Sequence, residues 1–358
     1  MSRVGVLLVQ LGTPDQPTPQ AVRRYLREFL GDPRVIEAPR WIWWFVLRFR
    51  VLPSRSYQSA TKYARIWHPE RGSPLLYVTR QQTLKLQEAL GEDYLVRFGM
   101  RYGNPAIGPA VTELMAAGVD RLLMVPMYPQ YSATTTGTAC DALFQDLMRR
   151  RVVPALRVVP PYYDDPLYIE AVVHRVRETL EDWGKEPEKI LFSFHGIPVA
   201  YVQRGDPYPE HVQRTCKLLA ARLRLDDEQW ILCYQSRFGR APWLQPYTDD
   251  VLVELATRGV RRVLVVQPGF TADCLETVDE IGFEAAELFK CHGGEELVRV
   301  PALNDHPAWI AALAALVRRE SCNWVSETET GSTVAPTAAG ETTPRDASPV
   351  QDDAAERM

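Results

Sequence analysis

The sequence predicts an α/β protein made of two doubly wound, parallel-sheet halves that face one cleft. Two observations carry this. Short apolar runs alternate with amphipathic stretches from residue 4 to residue 319, the pattern of strands buried on both faces by crossover helices. The order of loops also repeats. A first strand meets LGTP (11–14) or HGIP (195–198), a second meets RYGNP (101–105) or QSRFG (235–239), and a third meets PMYPQYS (126–132) or PGFTADCLET (268–277). All six loops leave the C-terminal ends of strands, the edge at which open α/β sheets bind ligands. A chain of 358 residues suits about two domains. The halves are expected at 1–160 and 161–320, parted by Pro160-Pro161 and Asp164-Asp165-Pro166.

Val4–Leu11 is the first strand. One cation precedes it and no small-residue cleavage site follows, so it is not read as a secretory leader. Thr18 caps the next helix and Pro19 opens it, with Val22, Leu26, Phe29 and Leu30 on one stripe. Residues 40–52, RWIWWFVLRFRVL, then break the composition. The segment is too short to span a bilayer. Three readings are open to it: an ordinary packed helix, a segment at a lipid interface, or an apolar lip over a large flat ligand. Residues 52–75 read as loop-rich and carry Arg55, Tyr63, Arg65 and the Gly72-Ser73-Pro74 turn. From there helices are expected over 79–90, 106–117, 139–149, 167–183, 209–224, 248–258 and 307–319. Strands are expected over 94–98, 121–125, 155–159, 189–194, 230–234, 263–266 and 297–300. Residues 321–358 are rich in Thr, Ala, Pro and acids, and are expected to be a disordered tail without a catalytic part.

The stretch from Val263 to Ile281 is the chemical centre of the sequence. A buried strand gives way at Pro268-Gly269 to a helix expected to start near Thr271 or Asp273. At 100° per residue, Asp273, Glu276 and Glu280 share one face. Three aligned carboxylates repel one another unless a cation or proton sits among them; acidic residues also simply favour helix N-termini. His195 ends the strand ILFSF at the same edge. There it is a proton acceptor, a ligand to a weakly held divalent metal, or a histidine satisfied in the core. Arg55, Arg101, Arg237 and Arg240 are carried on loops and can meet ligand carboxylates or act as ordinary surface charge.

Several classes are disfavoured. No GxGxxG or GxxxxGK[ST] follows a strand, so no nucleotide cofactor is expected, and GxSxG and HExxH are missing. A net charge of −4 gives no case for nucleic acid. The six cysteines form no CxxC pair, consistent with a reduced, cytoplasmic setting.

Taken in order, LGTP, GSP (72–74), RYGNP, YPQYS (128–132), SFHGIP (193–198), YQSRFG (234–239), Pro242-Trp243 and PGFTADCLET resemble the ferrochelatase family over residues 3 to about 320. The resemblance implies two Rossmann-like, chelatase-type halves around a porphyrin cleft. The activity it implies is insertion of Fe2+, as substrate, into protoporphyrin IX. His195 and Glu276 match the central pair that handles metal and protons, and Asp273 and Glu280 continue an acidic path. Arg55, Tyr63 and Ser73 match positions associated with the propionates and rim; Arg101, Tyr102, Tyr131, Trp243 and Phe270 match pocket positions. Segment 40–52 matches an entry lip, often at a membrane face, which implies peripheral contact with the inner face of the membrane. Many relatives carry histidine where this chain has Cys274. Some carry a cysteine-ligated [2Fe–2S] cluster; the scattered cysteines here predict none.

Overall fold

A computed structural model describes residues 3–324, all within one compact unit. It contains two four-stranded sheets. The first is formed by β1 (Val4–Thr13), β2 (Tyr94–Gly103), β3 (Arg121–Pro126) and β4 (Ala155–Val158), in the order β2-β1-β3-β4. The second is formed by β5 (Lys189–His195), β6 (Trp230–Gln235), β7 (Arg262–Val266) and β8 (Glu296–Arg299), in the order β6-β5-β7-β8. Every pairing is parallel. The two orders superimpose, with β5 in the place of β1, so the repeat of loop motifs is a repeat of topology.

Alternation along the strands decides which core each residue joins. On β1, Leu7 and Val9 face helices Ile107–Ala116 and Thr138–Leu147. Val4, Val6 and Leu8 point the other way and join one cluster with Ile190, Phe192 and Phe194 of β5. That cluster also holds Tyr168, Val172 and Val176 of helix Pro166–Trp183 and Trp309, Leu313 and Val317 of helix Pro307–Glu320. The sheets therefore share a core between them. Burying one side chain such as Phe192 contributes about 2–3 kcal/mol, and truncating it to alanine costs about 3–5 kcal/mol.

Three expectations need correction. Residues 52–75 are not loop-rich: Leu52–Ile66 is a helix, continuous with helix Arg40–Val46 through a π-helical turn at Leu47–Val51. Its buried stripe is Leu52, Ser56, Ala60 and Tyr63. Ser56 is polar, which breaks the apolar period, but its hydroxyl donates to the Leu52 carbonyl at 2.6 Å and can be buried. The acidic helix starts later than expected, and Glu276–Ala285 is π-helical before Ala286–Cys291 returns to the α form. A π turn closes i→i+5 bonds and is wider, so the 100° geometry does not hold there. The tail boundary also moves. Ser321 is buried and the Arg157 guanidinium lies 4.3 Å from the Trp324 ring centroid, so residues 321–324 pack on the fold. Residues 325–358 of the expected tail lie outside the described residues.

Candidate active site

Between the C-terminal ends of the two sheets lies a cavity of about 800 Å³, at the large end of small-molecule pockets. Gln10–Thr13 from the end of β1, His195–Pro198 from the end of β5, and Gly269–Ala272 with Cys274–Glu276 from the loop after β7 all line it. Leu26, Phe29, Leu30, Val35 and Ile36 line it too and give it an apolar stretch.

His195 is the last residue of β5 and its ring is 6.2 Å from that of Trp243. Nδ1 lies 2.7 Å from the Gly196 carbonyl oxygen. A carbonyl only accepts, so Nδ1 carries the proton and Nε2 of the neutral ring keeps its lone pair. Glu276 opens the π-helix, and its backbone is held from below. Its carbonyl accepts from Gln235 Nε2 at 3.0 Å and from Gln267 Nε2 at 3.3 Å. Gln235 Oε1 in turn accepts from Ser193 Oγ at 2.9 Å and from Gln267 at 3.1 Å. Two donors on one oxygen fix the amide orientation, which leaves Nε2 toward the carboxylate helix.

Glu280 stands one turn on. Burial, with the nearby charges of Glu276 and Asp249, pushes its pKa up to about 7, against the opposing hydrogen bond from Ser236. Ser236 has φ 67°, a left-handed conformation costly for serine, and it aims its hydroxyl at Glu280. Burial, followed by Glu276, also raises the pKa of the Cys274 thiol, which keeps it in the protonated form.

The structure brings together His195, Glu276, Glu280, Arg55, Tyr63, Ser73, Trp243 and Phe270 on one cavity wall or another. Four expected residues do not line it. Asp273 precedes the helix and is clamped: it accepts from Arg299 Nη1 at 2.6 Å, Thr277 Oγ1 at 2.8 Å and Asn304 Nδ2 at 2.8 Å. These bonds hold it in the loop, off the cavity lining. Arg101 and Tyr102 are turned into a buried knot with Asp32 and Thr138, where Tyr102 Oη donates to Asp32 Oδ2 at 2.9 Å. Burial pushes the Asp32 carboxyl up, but the bonds from Thr138, Arg34 and Tyr102 and the Arg101 charge prevail and hold it low. Tyr131 is half-buried, its amide donating to His211 Nδ1 at 3.2 Å. Segment 40–52 also stays off the cavity wall. It abuts the rim, with Trp43 Nε1 donating to the Leu30 carbonyl at 2.6 Å.

Sequence reasoning missed Asp279 and Glu284, both of which line the cavity. Asp279 is fully buried, with Arg65 Nη1 at 3.1 Å, and burial, opposed by that cation, raises its pKa. Glu284 pairs with Lys62 at 2.7 Å. The four-residue steps Glu276, Glu280, Glu284 were the available signal. Among the described residues no group of three or more His, Cys, Asp or Glu could hold a metal ion. His195 and Glu276 both line the cavity.

The fold is that of solved chelatases. SirB from Bacillus subtilis, determined with Fe3+, matches with a TM-score of 0.51 at 16% identity, covering 90% of this chain and 97% of that one. The sirohydrochlorin chelatase SirB from the subspecies spizizenii, in complex with cobalt, gives 0.51 at 13% identity over 89% and 95%. The sequence narrows this class. The ferrochelatase family model matches residues 3–321. The ferrochelatase of Mesorhizobium japonicum is 49% identical over 90% of this chain and 92% of its own length, and that of Chromobacterium violaceum 47% over 90% and 89%. The chain belongs to the ferrochelatase family and is an enzyme, a porphyrin metal chelatase.

Proposed function

We propose that protoporphyrin IX occupies this cavity and that Fe2+ is inserted into it there, giving protohaem and releasing two pyrrole protons. The observation that carries this reading is one imidazole and one carboxylate, His195 and Glu276, lining a large cavity that Leu26, Phe29, Leu30, Val35 and Ile36 also line. A flat porphyrin shields its nitrogens, so the walls would hold the ring bent and expose a lone pair. His195 Nε2 accepts the pyrrole proton as general base. Glu276 meets the metal or takes the proton onward. Glu280, with a pKa near working pH, passes protons on toward Glu284. Arg55, Tyr63 and Ser73 hold the propionate side; Ser73 Oγ and Thr13 Oγ1 are already 2.8 Å apart. Trp243 and Phe270 pack on the macrocycle.

The same reading places the protein in the cytoplasm, with peripheral contact at the inner face of the membrane. Trp41, Trp44, Phe45 and Phe49 are 71%, 53%, 55% and 66% exposed, on a short helix flanked by Arg40, Arg48 and Arg50. Such a face suits a lipid interface. No helix among the described residues is long and apolar enough to cross a membrane.

The test is anaerobic incubation of purified protein with protoporphyrin IX and Fe2+, following the Soret band. Metallation well above the protein-free rate is expected. Porphyrin binding without metallation would sink the reading.

A further inference from the structure

We infer that Asp206 is a positioning residue for metallation: its carboxylate ties the segment that follows His195 to the loop after β3, and so fixes the gap in which the macrocycle is held. The inference rests on the proposed porphyrin function and deepens it.

β5 ends at His195, and the chain then forms the short helix Val199–Gln203. Gly205, with φ +96°, turns the backbone, and the Asp206 amide closes the turn on the Tyr201 carbonyl at 3.1 Å. The half-buried Asp206 carboxylate thereby crosses to the N-terminal half. Its Oδ2 accepts from Ser132 Oγ at 2.9 Å and from the Ala133 amide at 2.8 Å. Its Oδ1 accepts from the Tyr208 amide at 3.1 Å. One carboxylate therefore caps two helices from two halves. The first is the π turn Ala133–Gly137, which runs on into Thr138–Leu147; the second is Tyr208–Leu223. Bonds from helix-start amides to an ionised acceptor are charge-assisted and roughly twice as strong as neutral ones.

Both ends of this tie reach the cavity. Thr134 and Thr135 line it from one half, and His195–Pro198, Arg204 and Tyr208 from the other. A second tie lies beside the first. Tyr201 Oη donates to the Val35 carbonyl at 3.0 Å and accepts from the Glu37 amide at 3.2 Å, and Arg204 pairs with Glu37. The tyrosine bonds are neutral, and the Arg204 side chain is exposed, so solvent weakens its pair. Asp206 therefore carries the stiffest link in this seam. A general base acts only within hydrogen-bond reach of its proton, and a misplacement of about 1 Å can cost on the order of 10²-fold. If the seam slackens, the macrocycle stays bound but lies flatter and further from His195.

Two measurements on the full chain test this: steady-state metallation of protoporphyrin IX by Fe2+, and resonance Raman spectra of metal-free protoporphyrin IX bound to the protein. Asp206→Ala is expected to lower kcat about tenfold, to change the porphyrin KM by less than about threefold, and to weaken the out-of-plane Raman bands. Asp206→Asn keeps an acceptor oxygen for Ser132 and Ala133, so it should lose less than about threefold in kcat. Ser132→Ala removes one of the bonds and should lower kcat about threefold; it reads the tie from its other end should Asp206→Ala fail to fold. The double variant should be no worse than Asp206→Ala alone by more than about twofold. Urea midpoints keep every assay within the folded range. A loss confined to KM, unchanged Raman bands in Asp206→Ala, or an asparagine variant as poor as the alanine one overturns the inference. A parent that binds porphyrin and fails to metallate it removes the proposed function, while the Raman comparison of parent and variant still decides the role of Asp206.

Discussion

The two sheets share one strand order, yet their C-terminal ends treat polar groups in opposite ways. At the end of β2, Arg101 and Tyr102 close on Asp32 and Thr138, and the charges cancel inside the N-terminal half. At the matching end of β6, Gln235 and Ser236 reach across to Glu276 and Glu280, and Arg237 stays open to the cavity. The first half supplies shape: hydroxyls, rings and an apolar wall. On the proposed reading, the second supplies the proton and metal chemistry through His195 and Glu276. A duplicated topology thus leaves the choice of chemistry to its loops.

Removing the chemistry from the second half should have the largest effect. His195→Ala is expected to lower metallation about 10²–10⁴-fold while porphyrin binding persists, as read by Soret kinetics and fluorescence quenching. Near-parental turnover would end its role as base. Next comes the clamp behind the site. Asp273→Ala leaves Arg299 without its partner in a mostly buried pair. The expected cost is about 3 kcal/mol in urea unfolding. A change below about 0.5 kcal/mol would return Asp273 to the list of groups facing substrate.

Glu280 sharpens the contrast through pH. Its folded-state pKa of about 7 lies above the ordinary 4.5, so the folded chain holds a proton that the unfolded chain has released. The stability this group contributes is full below pH 4.5 and is lost as pH rises toward 7. The loss totals about 3 kcal/mol at 1.36 kcal/mol per unit. Glu280→Gln keeps the neutral shape and removes the loss. Urea midpoints at pH 5 and pH 8 should show the variant gaining over its parent mainly at pH 8; an equal gain at both would contradict the raised pKa. The smallest effect on stability belongs to the aromatic face. Phe49→Ser should change stability by less than about 0.5 kcal/mol yet reduce sedimentation with anionic lipid vesicles. Unchanged sedimentation would remove lipid from the reading of that face.

Most of the strand ends were legible, because Gly and Pro punctuate apolar runs wherever β1, β5 and β7 stop. That His195 and Glu276 reach the cavity wall was legible for the same reason, His195 standing just before such a break and Glu276 a few residues after one. Helix Leu52–Ile66 was hidden by Ser56, whose hydroxyl is satisfied by its own turn and breaks the apolar period. The acidic residues were misplaced because i→i+4 spacing looks alike on α and π turns. A uniform 100° step puts Asp273 on the helix and leaves Asp279 off the acidic face. The Asp32–Arg101 knot joins residues 69 apart in sequence, and no local pattern announces such a partner.

Gly12, on the cavity wall, has φ +118°, and a Cβ there would stand 1.8 Å from the Tyr102 carbonyl oxygen. That stretch of wall is therefore bare main chain, locked by the neighbouring strand. Point substitution has no purchase on it. A lineage adapting this enzyme to a differently shaped macrocycle must do so through the helical rim and the loop after β6, leaving the end of β1 as inherited.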